Sequence, residues 1–113
     1  MSRKTILIDL DGVLNQYSGE YNENEIPPIK NGADDFLEKL SKNFDLKIFT
    51  TRNLLLTSKW LIENNIDGYI KDVTNIKTPA YLYIDDRCVC FCGNYTKIFE
   101  QITKFKVYWQ KSL

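Results

Sequence analysis

The chain has 113 residues, enough for one packed domain and too few for two. Lysine plus arginine and aspartate plus glutamate each total 15, so the net charge is zero and gives no general attraction to nucleic acid or to an anionic membrane. Any anionic partner must be recognised locally.

The chain opens with a continuously apolar run, expected as a strand over residues 4–10, written as a strand buried on both faces of a parallel sheet. It ends in Asp9-Leu10-Asp11-Gly12-Val13. Carboxylates one residue apart at the end of a buried strand repel each other and resist desolvation, so they need a cation, a basic partner or a shared proton. The run is too short and too acidic for a signal-peptide core, and no later stretch approaches the roughly 20 apolar residues of a membrane span. A cytoplasmic protein is expected.

Residues 13–28 are polar and close in Ile26-Pro27-Pro28, which predicts a flap, with Tyr17 and Tyr21 as candidates to line a site. A helix is expected over 33–42, with Ala33, Phe36, Leu37, Leu40 and Phe44 inward. Residues 46–50 read as a second strand that delivers Thr50-Thr51-Arg52 to its carboxyl end. Asn53 suits the cap of a helix over 54–64, with Leu54, Leu61 and either Leu55 or Trp60 inward. Short strands follow at 69–71 and 81–84, joined by a 72–79 connection that presents Lys77, and the second ends in Asp85-Asp86-Arg87.

Residues 88–92 read as a last strand, Gly93-Asn94 as a turn and cap, and 96–104 as a helix with Ile98, Phe99, Ile102 and Phe105 inward. The 106–113 tail has no period. Cys88, Cys90 and Cys92 would share one face of their strand; with no histidine and with spacing unlike structural zinc sites, they read as small apolar residues of a reduced protein.

Alternating strands and helices predict a single α/β domain built on a doubly wound, Rossmann-like, mainly parallel sheet. Ligands bind such sheets beyond the carboxyl ends of the strands, where Asp9, Asp11, Thr50, Lys77, Asp85 and Asp86 fall. Several carboxylates with no histidine make a hard-oxygen site suited to Mg²⁺, with Asp9, Asp11, Asp85 and Asp86 as the metal candidates. Thr50 and Lys77 suit phosphoryl oxygens, as does Gly12 in its turn, and one acid could attack phosphorus while another moves the proton. Arg52 could meet a substrate phosphate or a nearby acid.

In order, Asp9-Leu10-Asp11-Gly12-Val13, the apolar strand ending at Thr50, Lys77, and the apolar strand ending in Asp85-Asp86 resemble the four motifs of the haloacid dehalogenase (HAD) superfamily of Mg²⁺-dependent phosphatases and phosphotransferases. The resemblance implies a central first strand, Asp9 as the nucleophile that becomes an aspartyl-phosphate, and Asp11 as acid and then base. It implies that Thr50 and Lys77 hold the phosphoryl group, and that Mg²⁺ sits between the Asp9 side chain, the Asp11 carbonyl and Asp85, with Asp86 close by.

Residues 13–29 and 53–76 leave room only for a flap and an ordinary helix, so the chain is similar to the small capless members. No helix fits between Lys77 and Asp85, and Lys71 is the alternative lysine. The expected substrate is a phosphomonoester: a nucleotide, a sugar phosphate, a phosphorylated nucleic-acid end or a phosphoprotein. Two other readings are a catalytically silent binding module and a receiver-type signalling domain; the latter carries its paired acids on the first strand and its lone phospho-accepting aspartate on the third, whereas this chain begins with Asp-x-Asp and ends with Asp85-Asp86.

Overall fold

The fold is a computed structural model that describes residues 3–110. In chain order it contains β1 (Thr5–Asp9), α1 (Ala33–Ser41), β2 (Asp45–Phe49), α2 (Leu54–Glu63), β3 (Ile70–Thr74), β4 (Leu82–Ile84) and α3 (Tyr95–Lys104), with a 3₁₀ turn at Asp67–Tyr69. The four strands form one all-parallel sheet in the order β3-β2-β1-β4. The expected α/β architecture is what the chain forms, and β1 is internal as its unbroken apolar run requires.

Strand alternation sends Ile6 and Ile8 to one face of the sheet and Leu7 and Asp9 to the other. The Ile6 face joins Leu46 and Ile48 of β2 to Leu37 of α1 and to Trp60 and Leu61 of α2 in one buried core. Trp60 and Leu61 point inward as expected. Of the pair Leu55 and Trp60 it is Trp60 that turns in; Leu54 and Phe36, expected inward, are exposed, and Thr57 is buried on the inward side of α2. Asn53 caps α2, its side chain accepting from the Leu56 N–H at 3.0 Å.

The opposite face is crossed by the 75–81 connection rather than by a helix. β3 and β4 lie at opposite edges, three strand spacings or about 14 Å apart, and the chain must also return along the strand direction. Residues 75–81 span about 25 Å when extended, which leaves no length for a helical turn. Lys77 is carried across this face, sharing a small cavity with Leu7, Phe49 and Tyr83, while the Tyr83 hydroxyl donates to the Thr78 carbonyl at 3.0 Å. Lys71 stays exposed on β3, lining a different surface beside Ser58 and Asp67.

Two expectations for the C-terminal third are corrected. Residues 88–92 form no strand: only Asp85-Asp86-Arg87 separates them from β4, and a parallel partner would need a crossover of a dozen residues or more. All three cysteines are free and exposed. Helix α3 does form, with Asn94 accepting from the Lys97 N–H at 3.0 Å, but Phe99, Ile102 and Phe105 are exposed rather than inward. With one face taken by α1 and α2 and the other crossed by the extended connection, α3 finds no place on the sheet. Of the unperiodic tail, Val107 is buried, and residues 111–113 lie outside the described residues. No helix among the described residues is long and apolar enough to cross a membrane.

The contrast predicts separate stability effects. Leu37→Ala, in the core, should cost about 2–5 kcal/mol in urea unfolding. Phe99→Ala, 70% exposed on α3, should stay within about 0.5 kcal/mol of the parent. Comparable losses from both would place α3 in the core.

Candidate functional site

The site is built where β1 and β4 end. Ile8 and Ile84 are register partners, so the residues that follow, Asp9 and Asp85, leave the sheet side by side. Asp9, Asp85 and Asp86 each bring a carboxylate oxygen within 4.8 Å of the others. The Asp9 carboxyl is pushed up to about 8, first by burial, then by the charge of Asp85, by a hydrogen bond and charge from Asp86, and by Asp11. A dication, or a proton shared with Asp86, relieves that repulsion.

Asp11 faces a different set of partners. After Asp9 the chain turns tightly, with the Leu10 carbonyl accepting from Leu14 N–H at 3.0 Å and Gly12 at φ 80°, a backbone conformation that favours glycine. Arg52 Nε donates to both Asp11 oxygens, at 2.9 and 3.1 Å, and Asn15 Nδ2 donates to Oδ1 at 2.9 Å. Asn15 is fully buried, and its own Oδ1 accepts from the Gly12 and Tyr17 N–H groups. The same Arg52 side chain, 1% exposed, donates through Nη1 to the Asn22 carbonyl at 2.7 Å and lies under the Tyr21 ring. One guanidinium thus ties the end of β2 to Asp11 and to the flap.

These bonds redistribute the phosphate-binding candidates. Arg52 is committed to Asp11, the second of its two expected roles. The Gly12 N–H is taken by Asn15, and the Thr50 hydroxyl, buried at the end of β2, accepts from the Arg52 N–H at 3.1 Å. In their place Thr51 and Arg87 line a cavity of about 350 Å³ with Asp9, Asp11, Tyr17 and Tyr21. Lys77 comes to the other side of the pair, in a cavity of about 110 Å³ that includes Asp9 and Asp85, with its ammonium 4.4 Å from the Tyr83 ring centroid. The Asp11 carboxylate stands outside the three-acid group, so only Asp9, Asp85 and Asp86 of the four metal candidates converge through their side chains.

Three contributors escape sequence reasoning. Asn15 is hidden among the polar flap residues, although its place directly after the apolar Val13-Leu14 pair is a usable signal. Tyr108 and Trp109 carry no such signal. The tail returns to the site, where the Tyr108 hydroxyl donates to the Gly12 carbonyl and Trp109 Nε1 donates to Asp86 Oδ2.

No protein-family model matches the chain, and no curated protein matches it in sequence. A solved structure of a conserved protein from Bacteroides thetaiotaomicron is similar to it, with a TM-score of 0.59 and 21% identity over 95% of each chain. At that identity the likeness speaks for the fold alone.

The raised pKa of Asp9 makes stability depend on pH, with a definite sign. In the unfolded chain Asp9 ionises near 3.8, while the folded protein keeps the proton to about 8. The folded state therefore binds more protons across that window, and its stability, fully present below the lower value, falls as pH rises toward the upper one. In metal-free protein the melting temperature should decline across the window, and Asp9→Asn should flatten the decline and raise the melting temperature at its alkaline end by about 4 °C or more. Thermal scans in chelator check this; an equal slope in both proteins contradicts it.

Proposed function

We propose that the protein is a Mg²⁺-dependent phosphohydrolase of phosphomonoesters, a small capless relative of the haloacid dehalogenase superfamily acting through an aspartyl-phosphate on Asp9. The observation that carries the reading is the convergence of Asp9, Asp85 and Asp86 at the carboxyl edge of a parallel sheet, with Asp11 fixed beside them. The three acids fit the ion: they are hard oxygen donors, and a dication among them would offset their mutual repulsion and favour the ionised form of partly buried Asp9. Bound there, Mg²⁺ supplies charge neutralisation for phosphoryl oxygens beside the nucleophile.

The residues of the chain do the rest. An Asp9 oxygen attacks phosphorus as the bond to the leaving oxygen breaks, and Asp11 gives that oxygen its proton. Asp11 then takes a proton from the water that attacks the phosphoryl group, which leaves as inorganic phosphate and regenerates Asp9. Arg52 and Asn15 hold Asp11 in place for both transfers. Lys77, Thr51 and Arg87 offer positive charge and a hydroxyl around the two cavities that meet at Asp9 and Asp85. The cytoplasm is the proposed location, since three free and exposed thiols suit a reducing compartment.

Release of phosphate from an aryl phosphate with Mg²⁺ tests the reading. Asp9→Asn should lower turnover about a thousandfold or more, and Asp11→Asn about a hundredfold or more. Parent protein that binds Mg²⁺ yet turns over none of a broad phosphomonoester panel would instead be a catalytically silent binding module.

A further inference from the structure

The C-terminal Tyr108-Trp109 pair makes contacts at the site that neither the fold nor the proposed chemistry requires. Trp109 Nε1 donates to Asp86 Oδ2 at 2.5 Å. Its ring meets Tyr17 of the flap edge to face, with centroids 5.2 Å apart, and the Arg87 guanidinium lies 5.1 Å from the ring centroid. Tyr108 donates to the Gly12 carbonyl, and the Lys30 ammonium stands 5.1 Å from its ring centroid. The fit leaves little slack: a Cβ at Gly12 would collide with the Asp86 carboxylate and come within 2.8 Å of Trp109 Nε1, and one at Gly19 would lie 3.2 Å from the indole.

Packing of the preceding helix does not bring the tail here. Helix α3 buries no residue, whereas Val107 just beyond it is buried and Trp109 is partly so. The chain is anchored by what it touches at the site. Those contacts bridge two loops far apart in the chain, the flap around residues 17–19 and the loop at Asp86-Arg87.

We propose that Tyr108-Trp109 is a clasp, closing the flap onto the loop after β4 and, through the indole N–H, positioning Asp86 to take a divalent cation. An indole N–H has one donor and Oδ2 has two lone pairs, so the bond orients the carboxylate while leaving Oδ1 and the second Oδ2 lone pair to a ligand. Trp109 is thus a positioning residue, comparable to the outer partners that orient metal-ligating side chains. The cation half of the proposal rests on the phosphohydrolase reading; the clasp half does not.

Two substitutions separate the halves. Trp109→Phe keeps the ring against Tyr17 but removes the donor, and should weaken Mg²⁺ binding, measured by titration calorimetry, about tenfold or more. Its metal-free melting temperature and the amide exchange of residues 17–25 should stay close to the parent. Trp109→Ala should in addition speed exchange across 17–25, while Phe99→Ala, on the exposed helix just before the tail, should change neither readout. Parental Mg²⁺ affinity in Trp109→Phe overturns the positioning role. Unchanged flap exchange in Trp109→Ala overturns the clasp. Failure of the parent protein to bind Mg²⁺ overturns the cation reading and the positioning role together, and leaves amide exchange to decide the clasp.

Discussion

Strands β1 and β4 end side by side, and this chain places an acid at the carboxyl end of each. Because Ile8 faces Ile84 in register, Asp9 and Asp85 are forced side by side at an edge that is partly dry, with Asp86 one residue beyond. Hydrophobic burial of β1 fixes where the acids go, and their repulsion sets what the site needs. The other functional contacts follow from managing that charge. Asp9 holds its proton abnormally tightly, Asp86 takes an indole N–H, and Asp11 is drawn off to a buried guanidinium.

Arg52 connects the sheet to the loops. It stands three residues past the end of β2, deep enough to be almost fully buried, and a buried guanidinium requires partners. It finds them in Asp11 and in the flap carbonyls of Asn22 and Glu25, so the flap is held on one side by Arg52 and on the other by Trp109 against Tyr17. Two loops and the returning tail thus surround the acids. Breaking the Arg52 contact would leave charge buried without a partner, a far larger cost than losing an exposed ion pair.

The sheet and its acids were legible because they are local and periodic. An apolar run closing in Asp-x-Asp, amphipathic helices at the observed places, and Asp85-Asp86 after a short strand all follow from nearest-neighbour patterning. The parts that were not legible depend on long-range geometry. The extended 75–81 crossing depends on β3 and β4 being opposite edges, which only the strand order reveals. Helix α3 has the periodicity of a core helix, yet its apolar residues are exposed because both faces of the sheet are already occupied. Arg52 could be read as a phosphate ligand or an acid's partner, and only its reach to Asp11 decides. Trp109 sits in a segment without period, 23 residues from the Asp86 it touches, and nothing local marks it.

The proposed acceptor of the phosphoryl group is Asp9. Protein mixed with Mg²⁺ and a small acyl phosphate, quenched in acid and digested, can be read peptide by peptide in a mass spectrometer. The expected result is one added phosphoryl group on the peptide containing Asp9, lost in Asp9→Asn and trapped longer in Asp11→Asn. A protein that releases phosphate from its substrates but carries no phosphoryl group on that peptide, or carries it on another residue, would rule out Asp9 as the nucleophile.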